Sequence, residues 1–170
     1  MTKRIVYRCS KFDLEEEDIT IRGRKAKVRR VKNGAAVMIV PVVGNSIILE
    51  QQYRPVIKET IYEVPSGRIE RGETRLGAAR RELEEEIGYT AQRLKPLFDI
   101  YTDASLETQP TYCFVAEGLT KTRQKLDLDE TIKPVKMSIS RIKTLIRKNR
   151  MKESISLCAI LYYLYTRKGY

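Results

Sequence analysis

Apolar and polar positions divide the chain into a series of short strand-like runs and three helix-like ones. Ala35 to Val43 is a run of small and β-branched residues, the pattern of a buried strand. Gly44-Asn45 supplies a hairpin turn into a second such run, Ser46 to Tyr53. Arg4 to Cys9 and Ile19 to Val31 read as strands ahead of them, with a turn at Gly23. Thr60 to Val64, Leu94 to Tyr101 and Thr111 to Glu117 are strand-like too, and Ile132 to Ser138 reads as an edge strand because it carries Pro134.

From Thr74 to Ile87 the period changes. The segment has no proline and is rich in Leu, Ala, Arg and Glu, all good helix formers. At about 100° per residue, Leu76, Ala79, Leu83 and Ile87 form one apolar stripe, while Glu82, Glu85 and Glu86 share a different arc. Gly88 follows where a left-handed residue would end the helix. Two further helices are expected, Ser140 to Lys148 with Ser140 as N-cap and Ser154 to Thr166, apolar on most sides and so expected to be well buried.

This order indicates a mixed sheet flanked by helices, an α/β fold. At 170 residues the chain suits one domain with a proper core. The expected organisation is an antiparallel strand extension over residues 1–32 and a single main domain over 33–170.

The glutamate arc carries the chemistry. Carboxylates one helical turn apart repel each other, so solvent, a basic neighbour or a bound cation must compensate them. Hard divalent cations take oxygen ligands and share their remaining positions with substrate phosphates. Gly67 and Gly72 suit a tight loop just ahead of the helix. The competing reading is a solvated acidic face; the glycines, Glu73 and the Arg81-Glu82 pair at fixed offsets weigh against it.

Charge and composition narrow the picture. The net charge of +11 would suit nucleic acid, yet the cations are spread along the chain, and basic surfaces attract small anionic substrates as well. Nucleic acid is therefore not the expected partner. With no histidine, acid–base work falls to carboxylates, lysine, tyrosine or water on a metal. Cys9, Cys113 and Cys158 fit neither a disulfide framework nor a zinc site, and core packing is expected for at least two of them. No apolar run is long enough to span a membrane, and the N-terminus lacks a signal-peptide pattern; a reducing, cytoplasmic location is expected.

The segment GRIERGETRLGAARRELEEEIGY, from Gly67 to Tyr89, resembles the Nudix box, with Tyr89 where an aliphatic residue is usual. Outside the box, Glu50-Gln51-Gln52-Tyr53-Arg54-Pro55 and Tyr62-Glu63-Val64-Pro65-Ser66-Gly67 resemble the ADP-ribose pyrophosphatase branch of that superfamily. The resemblance implies an α/β/α sandwich and a pyrophosphohydrolase using magnesium, or manganese in its place. It implies metal ligation by Glu82, Glu85, Glu86 and the carbonyl of Ser66, with Arg81 and Glu73 orienting those ligands. Glu130, with Asp129 as second choice, would be the base that activates water, unless a box glutamate takes that role. Arg54, Glu63 and Glu107 would contact a nucleotide substrate. The resemblance also implies a homodimer in which N-terminal strands help to build the partner's site.

Three places depart from the branch pattern: Ala104 where a proline is usual, Gln109 where an acid is usual, and Lys27-Val28 where Arg-Glu is usual. They leave the reaction class untouched, but the altered loop and the basic charge keep open a hydrolase of damaged nucleoside triphosphates or RNA 5′ ends. A non-catalytic nucleotide- or RNA-binding module is the remaining alternative, and the intact set of box glutamates argues against it.

Overall fold

The structure is a computed structural model that describes residues 3–128 and 130–167. Strands β1 (Lys3–Arg8), β2 (Asp13–Ile21) and β3 (Arg24–Lys32) form an antiparallel sheet of their own. The turn between β2 and β3 uses Arg22 and Gly23, both at positive φ. The strand expected to begin at Ile19 thus starts at Asp13. Its acidic residues hid it, and they are held by cross-strand cations: Glu16 by Arg4, Lys27 and Arg29, and Glu15 by Lys3.

The main sheet runs β10 (Ile132–Ser138), β5 (Ser46–Arg54), β4 (Ala36–Val43), β9 (Thr111–Lys121), β8 (Tyr89–Ile100). Strand β6 (Glu59–Glu63) adds to β5, and the short β7 (Ser66–Arg68) adds to β4. The β4–β9 pair is parallel and the other pairs of this sheet are antiparallel, so the sheet is mixed. Pro134 lies on the outermost strand β10, as its missing N–H requires.

Alternation along β4 and β5 builds one core on each face. Val37, Ile39 and Ile48 pack with Ala78, Ala79, Leu83 and Ile87 of α1 (Arg75–Ile87). Met38, Val40, Ile47 and Leu49 pack instead with α2 (Ile139–Arg147) and α3 (Ser154–Thr166) through Ile142, Leu145, Ala159 and Ile160. Fully burying each such side chain contributes about 1.5–3 kcal/mol. The α/β/α layering follows directly.

Several expectations need correcting. Leu76 is exposed: it borders an open cavity with Pro96, Phe98 and Tyr112, while Ala79, Leu83 and Ile87 pack against the sheet. Helix α3 buries Ser156, Ala159, Ile160 and Leu164 but exposes Leu161, Tyr162 and Tyr165, since an outer-layer helix has the sheet on one side only. Of the cysteines only Cys113 is buried; Cys9 is half-buried and Cys158 exposed. The N-cap of α2 is Ser138, whose Oγ accepts from the N–H of Arg141, rather than Ser140.

Candidate active site

The site is assembled where β7 pairs with the start of β4 and presses against α1. Val64 ends its approach by donating its N–H to the buried Oγ of Ser156, at 3.0 Å. The Pro65 carbonyl accepts from the N–H of Ile39, and Ser66 and Gly67 pair with Met38 and Val37. The loop is therefore pinned to the centre of the sheet. From there the N–H of Ser66 donates to Glu86 Oε2 at 2.7 Å. Gly67 has no side chain to spare: a methyl group there would overlap the Glu82 carboxylate.

Helix α1 begins with Thr74 accepting from the N–H of Gly77 and ends at Gly88 in the left-handed conformation, φ 69°. Arg81 on its middle turn gathers the surrounding acids. Its Nε and Nη2 donate to the two oxygens of Glu73, its Nη1 to Glu82 Oε1 (2.8 Å) and Glu85 Oε2 (3.0 Å), and its Nη2 also to the Arg68 carbonyl. Glu73 in turn accepts from the N–H of Glu70. One guanidinium thus ties the glycine loop to the acidic face of the helix, using the planar fork that lysine lacks.

Glu82 and Glu86 are nearly buried, at 8% and 6% exposure. Burial pushes both carboxyls above the ordinary range; for Glu86 the adjacent Glu50 and Glu82 push further, whereas Arg81 pulls Glu82 back. Glu50 is 1% exposed and is likewise held high by burial. Among the described residues no three acidic side chains are already gathered into a cation cage, and Arg81 bonds oxygens of Glu82 and Glu85. The donor set nevertheless fits a hard divalent cation. It offers carboxylate oxygens one turn apart, a glycine cradle against them, and a buried Glu50 Oε1 that no hydrogen bond satisfies.

The segment after β9 closes the chamber. Thr122 and Lys125 donate their N–H groups to the carbonyls of Gly88 and Glu85, and the Gln124 side chain bonds the carbonyls of Glu86 and Ile132. This anchoring carries Asp127 and Glu130 over the helix. They line a cavity of about 260 Å³ with Ser66, Gly67, Arg81, Glu82, Glu85 and Glu86. A second cavity of about 270 Å³ shares Ser66, Gly67 and Arg68 with it and adds Arg54 and Glu63. Arg54 is forked onto Glu63, with Nη2 to Oε2 at 2.7 Å. A larger cavity, about 730 Å³, lies beside the exposed Leu76 between the start of α1 and strands β8 and β9; Glu73 lines it, but Glu82, Glu85 and Glu86 do not.

Ser66, Glu82, Glu85, Glu86, Arg81 and Glu130 therefore converge, and Arg54 with Glu63 adjoins them. Glu107 does not join. It accepts from Asn33 and bridges to Val31, where the loop before β9 meets the N-terminal sheet. Asp129 lies outside the described residues. The residue missed from the sequence is Glu50. Its signal was legible: a carboxylate directly after Ile47-Ile48-Leu49, on the inward alternation that Ile48 occupies.

Residues 32–158 match the NUDIX domain, and the chain belongs to that family: it is a Nudix hydrolase. It is 31% identical over 166 residues to the ADP-ribose pyrophosphatase of Bacillus subtilis (strain 168), a match covering 95% of this chain and 90% of that protein. It is 27% identical to the ADP compounds hydrolase NudE of Escherichia coli (strain K12), covering 96% and 90%. A crystal structure of an ADP compounds hydrolase superposes with a TM-score of 0.88 at 26% identity, covering 99% of this chain and 93% of that one.

Proposed function

We propose that the protein hydrolyses the diphosphate of ADP-ribose or a related nucleoside diphosphate sugar, giving a nucleoside monophosphate and a sugar phosphate. The observation that carries the reading is the buried Glu82–Glu86 pair pressed against Ser66 and Gly67, beside an arginine-bearing second chamber. The names of the relatives support the substrate class. Glu82, Glu86, Glu85 and the Ser66 carbonyl would hold a divalent cation, magnesium or manganese in its place, which would supply positive charge to offset the negative charge developing on the phosphate oxygens.

Arg81 holds Glu82 and Glu85 in position and fixes the loop through Glu73 and the Arg68 carbonyl. Arg54 and Arg68, flanking the shared wall of the two chambers, receive the anionic diphosphate. Glu130 Oε2 accepts from the N–H of Asp127, which orients its carboxylate at the chamber mouth. Glu130 takes a proton from the attacking water, whose oxygen bonds to phosphorus in line as the bridging P–O bond breaks. The bridging oxygen leaves with that electron pair as part of the departing phosphate.

The assembly we propose is a homodimer formed through the N-terminal sheet. Its strand β1 is exposed along its length and presents Ile5, Val6 and Tyr7. The sheet joins the main body where the N–H of Val31 donates to the Leu106 carbonyl and Asn33 reaches Glu107. The unpaired cysteines suit a cytoplasmic setting, and no helix among the described residues is long and apolar enough to cross a membrane.

The test is product analysis. With magnesium, ADP-ribose should yield AMP and ribose 5-phosphate, while nucleoside triphosphates are spared. Pyrophosphate release from triphosphates, with ADP-ribose untouched, would overturn the substrate assignment.

A further inference from the structure

We propose that Glu50 is a fourth carboxylate serving the cation site, standing behind Glu86 on the sheet side and compensated by the divalent cation when it binds. The inference rests on the reading of Glu82 and Glu86 as cation ligands. Glu50 lies on β5 and is 1% exposed, its side chain on the face that Ile48 turns toward α1. Its carboxyl is within hydrogen-bonding reach of that of Glu86, and its Oε1 has no hydrogen-bond partner among the described residues.

The nearby cation is already committed. Glu63 is the cross-strand neighbour of Glu50, and it takes three hydrogen bonds from Arg54. Arg81 is likewise spent on Glu73, Glu82 and Glu85. Packing alone would be served better by an apolar side chain, because a buried carboxylate without a counter-ion is strongly disfavoured. Two adjacent buried carboxyls, one of them unsatisfied, repel each other strongly when ionised in a low-dielectric wall. A divalent cation on the far side of Glu86 relieves both at once. Glu50 therefore adds charge to the site from the sheet, where Glu82 and Glu86 add it from the helix.

The experiment is a manganese titration followed by the electron paramagnetic resonance signal of free Mn²⁺, on the full chain without substrate. The variants are Glu50→Gln, Glu50→Asp and Glu86→Gln. Glu50→Gln keeps the shape and removes the charge; it should weaken Mn²⁺ binding about tenfold or more, in the range seen when groups behind metal ligands are lost. Glu50→Asp keeps the charge and should stay within about threefold of the parent, on the same scale. Melting of the metal-free proteins adds a second readout: Glu50→Gln should melt no lower than the parent and gain less from added Mn²⁺. Parental affinity in Glu50→Gln, or equal losses in the Gln and Asp variants, would overturn the role of charge at this position. A parent that binds no Mn²⁺ would sink this inference and the underlying site together. Parental affinity in Glu86→Gln would remove Glu86 as a ligand and overturn the role of Glu50 with it, whereas a loss in Glu86→Gln beside parental affinity in Glu50→Gln would overturn Glu50 alone.

Discussion

Gly67 and Glu82 compete for one volume: the Glu82 carboxylate sits where any side chain at residue 67 would begin. The obstructed atoms are the free end of a side chain, and Gly67 pairs with Val37 as ordinary strand backbone. Gly67→Ala should therefore fold and melt close to the parent, yet push the Glu82 carboxylate aside. A displacement of about 1 Å at a reacting centre can cost about a hundredfold in rate, and that loss in kcat/KM is expected. Parental activity in Gly67→Ala would show that Glu82 need not stand where the structure puts it.

Arg81 offers a test of orientation. Arg81→Lys retains the charge but cannot serve Glu73, Glu82, Glu85 and the Arg68 carbonyl together. We expect kcat to fall about 10- to 100-fold. Arg81→Ala should in addition lower the melting temperature measurably, since Glu82 loses its partner in a buried setting.

Ser156 is buried and has a defined duty, accepting the N–H of Val64 just before the loop. Ser156→Ala leaves that N–H unsatisfied and should destabilise the fold by about 1–3 kcal/mol. Chemical denaturation measures it directly. Ser156→Thr, which restores an acceptor, should recover part of the loss if the extra methyl group can be accommodated.

The N-terminal sheet should respond to acid. Arg4, Lys27 and Arg29 hold Glu16 down to about 2, from an ordinary value of 4.5. A depressed carboxyl stabilises the folded state above its unfolded pKa, and that contribution is lost as pH falls from there through about 2. Protection factors for hydrogen exchange in residues 13–32, taken relative to the intrinsic rate at each pH, should fall across that window. Glu16→Gln should exchange faster at neutral pH and lose this component of the acid response; an unchanged pH profile in the variant would remove Glu16 from the account.

The sequence made the box helix legible because its signals agree: Thr74 caps it, the apolar positions Ala79, Leu83 and Ile87 recur at helical spacing, and Gly88 ends it. The core strands β4 and β5 were equally plain from their apolar runs. Strand β2 was obscured because its acidic run is compensated across strands, by partners that no local window contains. Glu107 lies apart from the acidic cluster for a related reason. Its chemistry suits a binding loop, but its position is decided by the docking of that loop on β3. Glu50 could be read as a carboxylate on the inward alternation of an apolar strand, but nothing local to that strand shows that α1 sets Glu86 beside it.

The most direct measurement is the turnover of ADP-ribose by Glu86→Gln at saturating magnesium, beside its melting temperature. The side-chain amide introduced by this substitution can still accept the Ser66 N–H and carries no charge to repel Glu50, so the variant should melt at or above the parental temperature. Its rate should fall by about a thousandfold or more, the scale expected when an electrostatic group of the reacting centre is removed. A folded Glu86→Gln protein that releases AMP as fast as the parent would contradict the account.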